Sequence, residues 1–222
     1  MINNINYGIE CWYRNTCRGK SDNCRKSCIY YKKMNFLLGN CGVSDVSPYL
    51  IDLVPKKNEI DKYKEWSKIK NNILDFVKNG NNLFISSEYH RVGKTTMSVK
   101  LMYKYFDELP IGDSIVPKGY FINVPEFLLK LRSFDYWNTD EFREINELIK
   151  NTDIVIWDNI TGIKLNIKDK EHLLSFIDCR IQKVKTNIFN GKLDDKLEDI
   201  LGKEITQKLY CGRHIHLTGI SR

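Results

Sequence analysis

The sequence lacks any long uninterrupted apolar stretch. In a chain of 222 residues, no window reaches the roughly 18 apolar residues that a membrane-spanning helix needs. The first six residues, Met1-Ile2-Asn3-Asn4-Ile5-Asn6, are polar and do not begin a secretory signal. Internal repeats and low-complexity tracts are absent as well. These absences argue against membrane and secreted proteins and predict a cytoplasmic protein with one domain and a small appendage.

Cysteine is scarce after residue 41. Five of the seven cysteines lie at or before that point: Cys11, Cys17, Cys24, Cys28 and Cys41. In a reducing cytosol, clustered thiols are more often metal ligands than disulfides. The first four offer the four thiolates that a tetrahedral structural Zn²⁺ requires, and Cys41 could replace one of them. We therefore predict a zinc-binding module; an iron–sulfur cluster and free thiols packed as small apolar groups are the alternatives.

Positive charge is concentrated in the same segment. The formal net charge is +7, and residues 1–60 carry nine Lys or Arg against five Asp or Glu. Aromatic residues are interleaved with the basic ones, including Trp12, Tyr13, Tyr30 and Tyr31. Aromatic rings stack on bases and cations pair with phosphates, which is how single strands are held without sequence readout. The segment is predicted to contact single-stranded DNA or a protein partner; a solvated surface and the module's own packing are the alternatives.

Two short stretches further along predict a nucleoside triphosphate site. The apolar run 83–85 leads into Val92-Gly93-Lys94-Thr95-Thr96, and the apolar run 154–157 ends in Asp158. A strand that delivers Gly-Lys-Thr to the start of a helix forms a phosphate-binding loop, in which the lysine faces the β- and γ-phosphates and the threonine hydroxyl reaches Mg²⁺. An acid at the end of a neighbouring strand is a second group for Mg²⁺. The alternatives are an exposed turn capped by the two threonines and an aspartate that only caps a turn.

Two groups usual in such sites are missing. Glu88 stands where the motif G-x-x-x-x-G-K-[ST] has its first glycine, and Asn159, rather than a second acid, follows Asp158. An amide cannot accept a proton from an attacking water. We therefore expect ATP hydrolysis to be slow or to use another base.

Strands alternate with helices over the second part of the chain. Apolar runs predict strands at 83–86, 119–122, 153–158, 187–189 and 214–217, and helical periodicity predicts helices at about 63–77, 94–108, 123–131, 139–149, 169–184 and 193–209. This alternation is typical of an α/β fold with a parallel sheet covered by helices on both faces. The predicted organisation is a Cys-rich module at 1–47, a linker at 48–61 and a core at 62–222 without a separate C-terminal lid domain.

The motifs of the core resemble those of the DnaC/IstB-like AAA+ replication proteins, particularly the helicase loaders of phages of Gram-positive bacteria. Besides the two nucleotide motifs, the resemblance is carried by Asn123-Val124-Pro125-Glu126-Phe127-Leu128-Leu129, Ile177-Asp178-Cys179-Arg180-Ile181, Asn187-Ile188-Phe189, Leu201-Gly202 and Gly219-Ile220-Ser221-Arg222. It implies an AAA+ P-loop core with a five-stranded parallel sheet that binds ATP and Mg²⁺. It also implies a replicative DnaB-type helicase and single-stranded DNA as partners, self-association in the presence of ATP, no contact with a membrane, and a location in the cytoplasm of a bacterial host.

The resemblance also assigns site residues. It assigns catalytic roles to Lys94, Asp158, Asn159 and Arg180, and Mg²⁺ binding to Thr95 and Asp158. Nucleotide binding falls on Arg91, Val92, Gly93, Lys94, Thr95, Thr96, Asp158, Asn190 and Arg222.

Some positions depart from the pattern of these proteins. Arg91 stands where the phage members carry a glycine, and the sensor asparagine falls on Lys192, with Asn190 two residues earlier as a substitute. The arginine proposed to reach a neighbour's γ-phosphate falls on Glu204, and a second arginine falls on Lys208. Glutamate reverses the charge there, and lysine lacks the planar fork of arginine.

The sequence therefore predicts an ATP-binding DNA-replication factor, a phage-type helicase loader that delivers a replicative helicase to single-stranded DNA and is at most a weak ATPase. The alternative is a non-hydrolysing adaptor or inhibitor of a helicase or helicase loader with a degenerate AAA+ core. A transposition helper of the IstB kind shares the core but does not account for the Cys-rich segment.

Overall fold

The computed structural model describes residues 17, 28–45, 53–55, 57–113, 116–193, 197–218 and 220–221. In these ranges, no helix is both long enough and apolar enough to cross a membrane. Cys11, Cys24 and Arg222, three of the predicted site residues, lie outside them.

A parallel sheet of five strands forms the centre of the molecule. Its strands are β2 (Leu83–Ser87), β3 (Gly119–Asn123), β4 (Ile154–Asp158), β5 (Thr186–Lys192) and β6 (Arg213–His216), in the spatial order β3-β4-β5-β2-β6. All four neighbouring pairs run parallel. The α/β fold and the five-stranded parallel sheet predicted from the sequence are confirmed.

Helices cover the sheet on both faces. The first face carries α1 (Ile29–Gly39), α2 (Ile60–Asn71), α3 (Ile73–Lys78) and α4 (Lys94–Glu108). The second carries α5 (Val124–Leu131), α6 (Asp140–Asn151), α7 (Ile167–Gln182), α8 (Leu197–Leu201) and α9 (Lys203–Tyr210). Short 3₁₀ turns lie at Lys57–Glu59, Ile111–Asp113 and Phe134–Asn138.

The strands are apolar on both sides because both sides are covered. Ile85, Ile156 and Ile188 point to the core under α1 to α4, whereas Phe84 and Trp157 point to the core under α5 to α9. Alternate strand residues face opposite sides of a sheet, so a strand covered twice reads as a continuous apolar run. This is why the strands were detectable from sequence.

The helix α1 belongs to the same core as the sheet, although its residues fall inside the predicted Cys-rich module. Met34, Leu37 and Leu38 are buried together with residues of α2 and α4. Just after α1, the carbonyl oxygen of Cys41 accepts a hydrogen bond of 2.8 Å from the backbone N–H of Phe121 on the edge strand β3. The segment 29–43 therefore closes the free edge and one face of the core.

Three local features differ from the sequence prediction. The helix expected at 63–77 is two helices, which Asn72 separates. The helix expected at 193–209 is also divided, at Gly202, which has a φ of 85°. A short antiparallel pair, β1 (Val54–Pro55) with β7 (Ile220–Ser221), lies where no strand was expected.

Candidate nucleotide-binding site

The predicted phosphate loop, residues 88–93, connects the buried strand β2 to helix α4. Every residue of β2 is buried, and α4 begins at Lys94, immediately after Gly93. Gly93 has a φ of 99°, a left-handed conformation that glycine adopts without a side-chain clash. The turn aims the first N–H groups of α4 at the end of the loop, where a helix N-terminus favours anions. Val92 packs into the core below, and Thr96 lies half-buried in the first turn of α4.

Thr95 and Asp158 lie in direct contact, although β4 and β2 are not neighbours in the sheet. The Thr95 hydroxyl donates a 2.8 Å hydrogen bond to Oδ1 of Asp158. Burial raises the pKa of Asp158, while hydrogen bonds from Asn190 and Thr95 and the charge of Lys94 act in the opposite direction. Burial also lowers the pKa of Lys94, and the Asp158 carboxylate partly offsets this. A carboxylate and a hydroxyl side by side are hard oxygen ligands, which is the donor set that suits Mg²⁺.

Lys94 folds back onto its own loop. Its Nζ donates a 2.9 Å hydrogen bond to the carbonyl oxygen of Tyr89. The loop therefore wraps around the ammonium group. A phosphate entering this loop would replace a neutral carbonyl as the partner of Lys94, which is a stronger, charge-assisted interaction.

Asn190 is held between Asp158 and Ser98. Its Nδ2 donates a 2.7 Å hydrogen bond to Oδ1 of Asp158, and its Oδ1 accepts a 2.7 Å hydrogen bond from the Ser98 hydroxyl. Both Asn190 and Ser98 are at most 1% exposed. The amide is therefore engaged at both ends, and it orients the carboxylate instead of pointing out toward the loop. Lys192 is exposed at the end of β5.

Sequence reasoning missed Ser98. The signal was present, because Ser98 lies one helical turn after Thr95 and so on the same face of α4. A hydroxyl at that position faces the sheet, where an apolar side chain would be expected.

Asn159 forms a turn at the end of β4. Its φ is 57°, and its carbonyl oxygen accepts a 2.8 Å hydrogen bond from the N–H of Gly162. The Asn159 side chain lies against Gly162, at a distance that leaves no room for a Cβ there. The turn is fixed to β5 by a 2.9 Å hydrogen bond from Ile160 N–H to the Asn190 carbonyl. The structure thus gives Asn159 a role in shaping the turn after Asp158.

Arg180 is not brought to this site. It is fully buried and donates hydrogen bonds to the carbonyl oxygens of Ile149, Thr152, Asp153 and Thr186 and to the Asn187 side chain. Asp153 precedes β4 and Thr186 begins β5, so these partners lie at the amino edge of the sheet. Asp158 ends β4 at the carboxyl edge. Arg180 therefore joins three backbone segments on the side opposite the phosphate loop.

The two positions that depart from the family's arginines both lie on α9. Glu204 is exposed in its first turn, and Lys208 forms a 2.7 Å ion pair with Asp178 of α7. Lys208 is thus engaged within its own chain.

Of the four predicted zinc ligands, Cys17 and Cys28 lie within the described residues and are partly exposed. Within the described ranges no group of three metal-ligating side chains is found. Cys41 is buried in the core, where its thiol donates to the Leu38 carbonyl, and burial raises its pKa to about 11. A thiol held protonated in a core is a poor metal ligand.

Comparison with known proteins gives a result for the fold alone. Neither a protein-family model nor a curated protein sequence matches the chain. Among solved structures, the DnaC helicase loader superimposes with a TM-score of 0.61 at 17% identity, over 74% of this chain and 93% of that one. The chain therefore has the fold of the DnaC helicase loader over most of its length. DnaI matches with a TM-score of 0.55 at 15% identity, over 84% of this chain and 93% of that one.

A third similar structure is a replication initiator. DnaA bound to AMPPCP and single-stranded DNA has a TM-score of 0.56 at 11% identity, over 74% of this chain and 47% of that one. This chain therefore spans about half the length of DnaA and nearly all of the DnaC and DnaI structures. The core fold that the resemblance implied is confirmed.

Proposed function

We propose that this chain is an ATP-binding DNA-replication factor, a phage-type helicase loader that delivers a DnaB-type replicative helicase to single-stranded DNA. The observation that carries the proposal is the contact between Thr95 and Asp158, 2.8 Å apart at the mouth of a loop that also holds Lys94. The likeness of the core to DnaC and DnaI supports the partner. The likeness to DnaA bound to AMPPCP supports the ligand.

In this proposal each residue has a separate task in binding. The N–H groups that follow Gly93 hold the phosphates, and Lys94 leaves the Tyr89 carbonyl to pair with them. The oxygens of Thr95 and Asp158 fit Mg²⁺, which when bound neutralises charge on the phosphates. Asn190 fixes the Asp158 carboxylate for that purpose.

The residues around Asp158 suit the binding of ATP better than its rapid hydrolysis. Asn159 cannot serve as a base, and its side chain packs over Gly162. Asn190 is engaged with Asp158 and Ser98. We propose that bound ATP sets the conformation and self-association of the chain, and that release follows slow hydrolysis or exchange.

The same observations favour a second function of a different class. A core that binds ATP without hydrolysing it would serve as an adaptor or inhibitor of a helicase or of its loader. Glu204 supports this alternative, because its negative charge cannot stabilise a neighbour's γ-phosphate. A steady-state ATPase assay with single-stranded DNA distinguishes the two functions. Robust ATP turnover would contradict the adaptor function, whereas no turnover together with tight helicase binding would favour it.

The Cys-rich segment is assigned to partner contact. We propose that Cys11, Cys17, Cys24 and Cys28 bind one structural Zn²⁺ and that the basic and aromatic residues around them contact the helicase or single-stranded DNA. Cys28, the last of these cysteines, directly precedes helix α1, which packs on the core.

The test of the proposal combines ligand binding with capture of the partner. Labelled ATP should bind the wild-type chain and the control variant Lys192→Ala, and should not bind Lys94→Ala. The immobilised wild-type chain should recover a replicative helicase from host lysate, with different yields with and without ATP. ATP binding that survives Lys94→Ala would refute the site, and a lysate experiment that never recovers a helicase would refute the loader.

A further inference from the structure

Arg91 adopts a left-handed backbone conformation, which is sterically unfavourable for a residue that has a side chain. Its φ is 57°, in the left-handed region where glycine is preferred. Glycine at this position would relieve the steric cost without changing the path of the loop. An arginine held in such a conformation at a ligand loop suggests that its side chain contributes to the function of that loop.

The Arg91 side chain is available for a ligand. It is exposed, and within the described part of the chain it forms no hydrogen bond or ion pair. It belongs to the six-residue arc that closes over the Lys94 ammonium through the Tyr89 carbonyl. A phosphate that replaces this carbonyl as the partner of Lys94 would therefore enter the loop that carries Arg91.

A group that would otherwise recognise the terminal phosphate is already engaged. The Asn190 amide donates to Asp158 and accepts from Ser98. A guanidinium in the loop would restore a planar, permanently charged donor for phosphate, which Lys94 alone cannot provide.

We infer that Arg91 binds the terminal phosphate of ATP from within the same chain and thereby distinguishes ATP from ADP. This inference rests on the proposed nucleotide site and names the residue that reads the nucleotide state there. Recognition from within the chain means that ATP is distinguished from ADP before any second subunit is present.

The test compares two ligands that differ only in the terminal phosphate. Dissociation constants for ADP and for the β,γ-methylene analogue of ATP are measured at one Mg²⁺ concentration with the wild-type chain, Arg91→Gly, Arg91→Ala and Arg91→Lys. Loss of the guanidinium should weaken the analogue about tenfold, as expected for a charged hydrogen bond, and should change ADP less than about twofold. Arg91→Lys should fall between, because a lysine keeps the charge and loses the fork.

Controls separate the side chain from the backbone. Arg213→Ala removes an exposed arginine at the start of β6, at the amino edge of the sheet and away from the loop, and should leave the ratio of the two dissociation constants unchanged. Agreement between Arg91→Gly and Arg91→Ala attributes the effect to the guanidinium, because only glycine also relieves the strained φ. Thermal unfolding should show that Arg91→Gly is at least as stable as the wild type.

Three results would overturn the inference. The first is a dissociation constant for the analogue that is the same in the wild type and Arg91→Gly. The second is an equal loss of both ligands, which would mean that Arg91 acts through the loop conformation. The third is a wild-type chain that binds neither ligand; this result alone would also remove the proposed nucleotide site, so the two failures are distinguishable.

Discussion

Lys33 Nζ lies 2.9 Å from the carbonyl oxygen of Leu109, although the two residues are 76 positions apart in the sequence. It also donates to the Asp107 carbonyl at 3.0 Å, so one ammonium group caps the last turn of α4 from helix α1. Lys33 is only 3% exposed. A cation at a helix C-terminus is favoured by the unpaired carbonyls and by the helix dipole.

Replacing Lys33 with methionine should therefore destabilise the fold. The apolar stem is preserved, but one buried and one partly buried carbonyl group lose this donor, which costs about 1–3 kcal/mol in the free energy of unfolding. Urea denaturation measures the change, with Lys32→Met, an exposed neighbour on α1, as the control. Equal stabilities of the two variants would contradict the cap.

Asn190→Ala should weaken the binding of Mg²⁺ at the nucleotide site. Without the amide, the buried Asp158 carboxylate loses one of its two hydrogen-bond donors, so its pKa rises further and the ionised form is less populated. We expect the Mg²⁺ concentration for half-saturation to increase by about tenfold. Ser98→Ala should change it in the same direction and less, because the serine acts only through the amide.

The control for this prediction is Lys192→Ala, at the position where the resemblance placed the sensor residue. It should titrate with Mg²⁺ like the wild type. A wild-type-like titration of Asn190→Ala, together with a shifted one for Lys192→Ala, would restore the original assignment.

Arg180→Met should affect stability and leave nucleotide binding unchanged. Removing the guanidinium leaves several buried carbonyl oxygens without donors, and breaking a buried charged network costs about 3–5 kcal/mol. Arg180→Lys should recover part of this loss, because an ammonium satisfies fewer acceptors than the guanidinium does. The nucleotide affinity of folded Arg180→Met, measured below the unfolding transition, should equal that of the wild type. A loss of ATP turnover in a stable Arg180→Lys variant would instead indicate a catalytic role.

Cys41 should make the fold less stable at alkaline pH. Burial raises the pKa of the Cys41 thiol in the folded chain from its ordinary value of 9.0 to about 11. As the pH rises, the unfolded chain therefore loses this proton before the folded chain does. Stability is therefore intact below pH 9 and falls as the pH rises from about 9 toward 11, by about 2 kcal/mol at the upper end. The difference between wild type and Cys41→Ala in urea denaturation at pH 8 and pH 10.5 isolates this group; parallel pH profiles would contradict it.

The metal content of the purified protein tests whether the Cys-rich segment binds zinc. We expect about one Zn²⁺ per chain in the purified wild type and in the control Cys179→Ser, whose cysteine lies on α7 of the core. Cys24→Ser should lose the metal, because three thiolates bind far less tightly than four. Iron in place of zinc would indicate a cluster, and a metal-free wild type would remove the module.

Much of the core was predictable because its strands are buried on both sides. The run that ends at Asp158 and the run that enters the phosphate loop are continuous apolar segments, and the fold follows from their alternation with helices. Asn190 could also be singled out from the sequence. It lies two residues before Lys192, and residues two apart share one face of a strand.

The position of Arg180 could not be read from a motif. Helix α7 returns antiparallel to the strands, so a residue near its C-terminal end at Gln182 reaches the amino edge of the sheet. The separation between Asp158 and Arg180 in sequence does not reveal this reversal. The short pair of β1 with β7 was unpredictable for another reason: two residues per strand carry no periodic signal, and the pairing joins distant parts of the chain.

That antiparallel pair joins Val54 to Ser221 and Pro55 to Ile220, immediately before Arg222. The segment leading from α1 into the core and the segment carrying the candidate sensor arginine are therefore two strands of one ribbon. A partner that pulled on the region before Val54 would shift the backbone next to Arg222, with no need for a separate relay through the sheet.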